Sequence, residues 1–120
     1  MSDTEQTTGQ LSPAEAAELI AAGTQLVDVR RPSEFEAGRI AGARNIEINE
    51  LTAAAESISR EQPLIFYCRG GNRSQMAAQA FREAGYDAHH VSGGIQAWVE
   101  AGQPLEPDGG EVRAPLPPTA

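Results

Sequence analysis

The sequence predicts an α/β protein, a mostly parallel β-sheet with helices on both faces. Three observations predict it. Short β-rich runs alternate with segments of helical period along the chain, as in sheets built from crossover units. Leu64-Ile65-Phe66-Tyr67 is a continuous apolar run of the kind buried on both faces. Asp28 and Cys68 both fall where strands are expected to end, which is where ligands sit in such sheets.

Residues 1–10 are polar, without periodicity, and read as a flexible arm. Ser12-Pro13-Ala14-Glu15 is a helix start, with Ser12 as N-cap, Pro13 in the first position and Glu15 closing a capping box. The helix runs over 13–22, carries Ala16, Leu19 and Ile20 on one face, and stops at Gly23. Gln25 to Val29 is a strand ended by Arg30-Arg31-Pro32. Ser33 is expected to cap a short helix, Glu34 to Ala37, closed by Gly38. Ala43 to Ile48 reads as a brief strand, and a helix follows from Asn49 or Glu50 to about Ile58. After the strand Leu64–Tyr67, the apolar positions Met76, Ala77, Ala80, Phe81 and Ala84 mark a helix over 74–84 that Gly85 stops. Asp87 to Val91 is a further strand, and Ile95 to Ala101 a short helix with Trp98 on its apolar side. The folded domain is therefore expected over 11–103. The Pro-rich remainder, 104–120, reads as a disordered tail.

Composition excludes several functions. A net charge of −8, with nine arginines and no lysine, makes a poor surface for nucleic acid or anionic membrane. One cysteine forms no internal disulfide and falls short of a zinc site, so neither metal nor cofactor is expected. The polar, acidic start lacks the apolar core of a signal peptide, and no apolar run reaches membrane-spanning length. A reducing cytoplasm and a monomer are the default expectations.

The chemistry concentrates in Cys68-Arg69-Gly70-Gly71-Asn72-Arg73-Ser74. This segment puts a thiol at the end of a buried strand, in a glycine-rich turn between two arginines, just ahead of a helix. Each element favours an anion there. The arginines carry full charge, a glycine turn lets backbone N–H groups converge, and a helix N-terminus adds its positive end. The thiolate is the reactive form of cysteine, so the loop reads as an anion cradle around a nucleophile. A lone buried cysteine is more often inert, but the Gly-Gly turn and flanking arginines argue against that here.

Four stretches resemble the single-domain rhodaneses, or thiosulfate sulfurtransferases. These are Val27-Asp28-Val29-Arg30 with Pro32, Glu34 and Phe35; Gly38 to Ile46, with Arg39 where histidine is usual; the loop Cys68 to Arg73, similar to C-R-x-G-x-R; and Gly93-Gly94-Ile95-Gln96-Ala97-Trp98. The resemblance implies a rhodanese-like fold with a five-stranded sheet. It also implies sulfur transfer from a small anionic donor such as thiosulfate, through a Cys68 persulfide, to a thiol, a protein thiol or cyanide. Arg69, Gly70, Gly71, Asn72 and Arg73 are the implied substrate-binding residues. Ser74 supports the loop, and Asp28 is expected to pair with Arg73.

Three rival readings bear on the same residues. Phosphatases and arsenate reductases related to this fold carry five residues between cysteine and arginine, whereas four intervene here; the smaller cradle suits a sulfane sulfur better. A non-catalytic regulatory module commonly lacks the nucleophile, which Cys68 supplies. A sulfur carrier that hands its persulfide to a protein partner is not separated from the enzyme by sequence. Among the blander expectations, His89 and His90 are adjacent on a strand and point to opposite faces, Trp98 plugs the core, and Glu34 is a helix N-terminal carboxylate before it is a contact of the active-site rim.

Overall fold

A computed structural model describes residues 9–114. The remainder of the expected arm, 1–8, and of the expected tail, 115–120, lies outside the described residues. The order of elements is β1 (Gln10–Leu11), α1 (Pro13–Ala21), β2 (Gln25–Asp28), α2 (Pro32–Ala37), β3 (Arg44–Asn45), α3 (Leu51–Ala54), β4 (Leu64–Tyr67), α4 (Asn72–Glu83), β5 (Ala88–Val91) and α5 (Gly94–Glu100). The five strands form one sheet in the order β1-β5-β4-β2-β3, and every pairing is parallel. The expected α/β class and five-stranded parallel sheet are thus present, with helices on both faces.

β4 is the centre of the molecule. Leu64, Ile65, Phe66 and Tyr67 are all fully buried, and burial of each such side chain stabilises the fold by about 1.5–3 kcal/mol. Because side chains alternate along a strand, Leu64, Phe66 and Cys68 join the core cluster of one face with Val27, Val29, Leu51, Ala77, Ala78 and Phe81. Ile65 and Tyr67 join the other, with Ala16, Leu26, Val91, Ile95 and Trp98. Helices α3 and α4 therefore cover the cysteine face, and α1 and α5 the opposite one.

The sheet has a topological switch. From β2 the chain moves outward to β3, whereas from β4 it moves the other way, to β5. A crevice opens beyond the strand ends where this direction reverses. Asp28, paired with Tyr67 in register, and Cys68 lie at that place.

Local signals act as their chemistry requires. Ser12 accepts from the Glu15 N–H at 3.1 Å while the Glu15 carboxylate accepts from the Ser12 N–H at 2.9 Å, the reciprocal capping box. Trp98 is a buried plug whose indole N–H donates to the Pro104 carbonyl at 2.8 Å. His89 turns outward to Asp87 at 2.8 Å and His90 turns into the core.

Four expectations need correction. Gln10, the last residue of the expected arm, is instead in a strand with Leu11, because β5 pairs with both in parallel register. α2 begins at Pro32, and its cap is not Ser33: the Glu34 carboxylate reaches back to the Arg31 N–H at 3.1 Å. The stretch after β3 is a 3₁₀ turn, one turn of α-helix and another 3₁₀ turn rather than one helix to Ile58. The start of the Pro-rich tail lies on the domain, with Leu105 and Val112 packed against the second core cluster.

Candidate active site

The carbonyls of Cys68 and Arg69 are tied to the start of α5, accepting from Ile95 N–H at 2.8 Å and Gln96 N–H at 3.1 Å. That approach demands glycine. A Cβ on Gly94 would stand 2.5 Å from both carbonyl oxygens, and Gly94 itself has φ +66°, a conformation side chains resist. Gly71 turns the loop into α4 at φ +109°. The expected glycine turn is thus two turns, Gly70-Gly71 and Gly93-Gly94, laid against each other.

This path brings donors to the sulfur. The Gly71 N–H donates to Cys68 Sγ at 3.0 Å, the Ser74 N–H at 3.4 Å and the Ser74 hydroxyl at 3.4 Å. Gly71 is the N-cap of α4 and Ser74 its third residue, so two N–H groups that a helix leaves without carbonyl partners are spent on the sulfur. Cys68 is 1% exposed. A buried sulfur facing three donors and a helix N-terminus is arranged for negative charge.

Arg73 also lies in the first turn of α4, and its guanidinium forks onto Glu34, Nη1 to Oε2 and Nη2 to Oε1, both at 3.5 Å. Glu34 is fully buried, while the Arg73 side chain is 30% exposed. The Nε of Arg69 is buried and bonds no protein acceptor among the described residues. Gly70 and Asn72 are exposed at the crown of the loop.

Asp28 is elsewhere. Its carboxylate accepts from the Arg30 N–H and Nε at 2.9 Å and from Nη2 at 2.7 Å, and Nη2 also donates to the Gly38 carbonyl at 2.8 Å. Both side chains are fully buried. The expected Asp28–Arg73 pair therefore does not form. Alternation along β2 puts Asp28 on the Leu26 side, opposite the Val27, Val29 and Cys68 side. Burial works against the Arg30 charge, but Asp28 outweighs it and holds the guanidinium above its ordinary range. Burial and the Asp28 charge push the Tyr67 phenol far up, so it stays neutral and accepts from the Ile40 N–H at 3.1 Å. Asp28 shapes the crevice wall through Arg30 and the turn at Gly38.

Sequence reasoning weighed Glu34 as a contact of the site rim and preferred its helix-cap role; the structure gives it both. The clamp by Ile95 and Gln96 was missed, although Gly93-Gly94 was its visible signal. Among the described residues no cluster of three or more His, Cys, Asp or Glu is placed to hold a metal, and no helix is long and apolar enough to cross a membrane.

A parallel sheet whose switch point presents a cysteine in a ring of donors defines a thiol-centred α/β domain. The rhodanese-like domain family model matches residues 12–101, and the chain belongs to that family. A thiosulfate sulfurtransferase, GlpE, of Pseudomonas aeruginosa is 34% identical over 113 residues, covering 93% of this chain and 99% of that one. The Bacillus subtilis protein YqhL, uncharacterized, is 41% identical over 75 residues, which span 62% of this chain and 60% of its own length. Among solved structures, a rhodanese-related protein of Thermoplasma volcanium superposes with a TM-score of 0.75 at 35% identity, covering 80% of this chain and 95% of that chain. A Rhodopseudomonas palustris protein described as a possible tyrosine phosphatase superposes at 0.74 with 28% identity, covering 87% of this chain and 89% of its own.

Proposed function

We propose that the protein is a sulfurtransferase that moves a sulfane sulfur from thiosulfate, or a related anionic donor, to a thiophilic acceptor through a persulfide on Cys68. The observation that carries the reading is the convergence of the Gly71 N–H, Ser74 N–H and Ser74 hydroxyl on Sγ. The Cys68 thiolate attacks the outer sulfur of thiosulfate. A new Sγ–S bond forms, the S–S bond of the donor breaks, and its electron pair leaves with sulfite. The outer sulfur of the persulfide then carries the negative charge, and the first-turn N–H groups of Asn72 and Arg73, which have no helix carbonyl to bond, are the donors left to receive it. A thiolate, a protein thiol or cyanide attacks that outer sulfur, takes it, and returns Cys68 as thiolate. In that second step the negative charge returns to Sγ, where the Gly71 N–H, the Ser74 N–H and the Ser74 hydroxyl receive it and lower the barrier.

The nearly complete burial of Sγ favours a slim donor, and four residues between Cys68 and Arg73 make a small cradle. Both argue for sulfur over a tetrahedral phosphoryl or arsenate group. The same persulfide serves a carrier that delivers sulfur to a protein partner, since the acceptor is set outside the loop. The chemistry needs Cys68 reduced, which suits the cytoplasm.

Intact-mass measurement after incubation with thiosulfate tests the reading. The wild type is expected to gain one sulfur atom that cyanide removes, and Cys68→Ser to gain none. An unmodified wild type, or turnover of a phosphate ester at a higher rate, would sink it.

A further inference from the structure

The segment from Pro104 to Val112 is fastened to one place on the domain. Glu106 exchanges two backbone hydrogen bonds with Arg39, its carbonyl accepting from Arg39 N–H at 2.9 Å and its N–H donating to the Arg39 carbonyl at 2.8 Å. The two side chains also pair, Arg39 Nε to Glu106 Oε1 at 3.8 Å. Further on, the Glu111 N–H donates to the Ala37 carbonyl at 2.9 Å. Gly38 lies so close beneath Glu111 that a Cβ there would collide with the Glu111 backbone. Leu105 and Val112 bury apolar surface on the second core cluster.

Ala37 ends α2, the helix that carries Glu34, and Gly38 and Arg39 follow directly, Gly38 as its C-cap. α2 is six residues long, too short to hold its own shape. Its end is held from within by Arg30 on the Gly38 carbonyl and from outside by the segment just described. The Glu34 carboxylate, one turn back, is the group on which the Arg73 guanidinium rests.

We infer that residues 104–112 are a strap that positions α2 and, through Glu34, sets the Arg73 guanidinium beside the cysteine loop, so that this segment tunes how strongly the site favours anionic reagents. The inference deepens the sulfur-transfer reading of the same site and rests on it for its meaning. Its geometry and its test concern only the field at Cys68.

The test compares alkylation of Cys68 by iodoacetate, an anion, with alkylation by iodoacetamide, its neutral analogue. In each case the thiolate displaces iodide and forms a carbon–sulfur bond, so no sulfur transfer is involved. The ratio of the two rates reports the field at Sγ. Truncation after Glu106 removes the Glu111 and Val112 contacts and keeps those of Pro104, Leu105 and Glu106. Gly38→Ala lifts the strap in the complete chain, so the test stands should the truncated chain fail to fold. In both, the iodoacetate-to-iodoacetamide ratio is expected to fall about threefold, the size of one partly exposed ion pair's contribution. In a Glu34→Gln background neither change should alter the ratio further, because the strap acts through that carboxylate. An unchanged ratio with only a lower melting temperature would make the strap a stabilising element and nothing more. An equal fall in the Glu34→Gln background would also overturn the inference. Failure of thiosulfate to load Cys68 would remove the sulfur-transfer reading and leave this result standing.

Discussion

Ser74 has one hydroxyl proton and two acceptors within reach, Cys68 Sγ at 3.4 Å and the Gly71 carbonyl at 3.2 Å. A neutral thiol competes weakly for that proton, whereas a thiolate draws it, since hydrogen bonds to charged groups are about twice as strong as neutral ones. Ser74→Ala should therefore leave the fold intact and lower kcat for thiosulfate turnover by about tenfold to a hundredfold, the value of one bond to an anion at about 1.5–3 kcal/mol. Steady-state kinetics with a parallel thermal melt check it; an unchanged kcat would show that the two backbone N–H groups suffice. At this scale the sequence was readable where a residue's chemistry is local. Cys68, Gly71 and Ser74 lie within one short segment, so their meeting could be anticipated. Asp28 was assigned the wrong partner because ends of neighbouring strands were taken as one place. The two-residue period of β2 points Asp28 away from the Cys68 face, and Glu34, separated from Arg73 by 39 positions, takes the pairing instead.

At the scale of elements, β5 contains a titratable group in the core. His90 is 5% exposed, its Nδ1 has no partner among the described residues, and it lies in register with Phe66 of β4 and Gln10 of β1. Burial, with the charges of Arg82 on α4 and His89 on its own strand, lowers its proton affinity below the ordinary value of 6.5. The folded state thus binds this proton more weakly than the unfolded chain. Stability from this group is fully present above about pH 6.5 and is lost as the pH falls below that value, the loss levelling off once the folded-state value is passed. Melting temperatures from about pH 7.5 to pH 5 should fall more steeply for the wild type than for His90→Gln; parallel curves would refute the assignment. Strands and helices with strong patterns, such as Leu64–Tyr67 and the helix after the cysteine loop, were legible within two residues. β1 was not, because two residues carry no period and exist as a strand only through β5. The strap was not legible either: prolines signal loss of regular structure, but lack of regular structure does not prevent packing.

For the molecule as a whole, the balance between a net charge of −8 and the arginines at the site sets how anions arrive. The described residues span 42 × 32 × 22 Å. At about 0.01 M salt the screening length is about 30 Å, so nearly every carboxylate repels an approaching dianion; at about 0.1 M it is about 10 Å, and only charges near the site are felt. kcat/KM for thiosulfate is therefore expected to rise between these concentrations and to fall again towards about 1 M, where the arginines are screened as well. A monotonic fall would show that the remote carboxylates have no influence. The fold class was legible from alternation alone, and the family segments extended it to five strands, because chain order and right-handed crossovers leave few alternatives. The clamp of α5 on the cysteine loop also has a bearing on time. Ile95 and Gln96 hold the carbonyls of Cys68 and Arg69, so the loop acquires its shape only after a stretch nearly thirty residues downstream has left the ribosome and docked. A growing chain that has not yet exposed Ile95 and Gln96 presents its cysteine loop with those two carbonyls unheld.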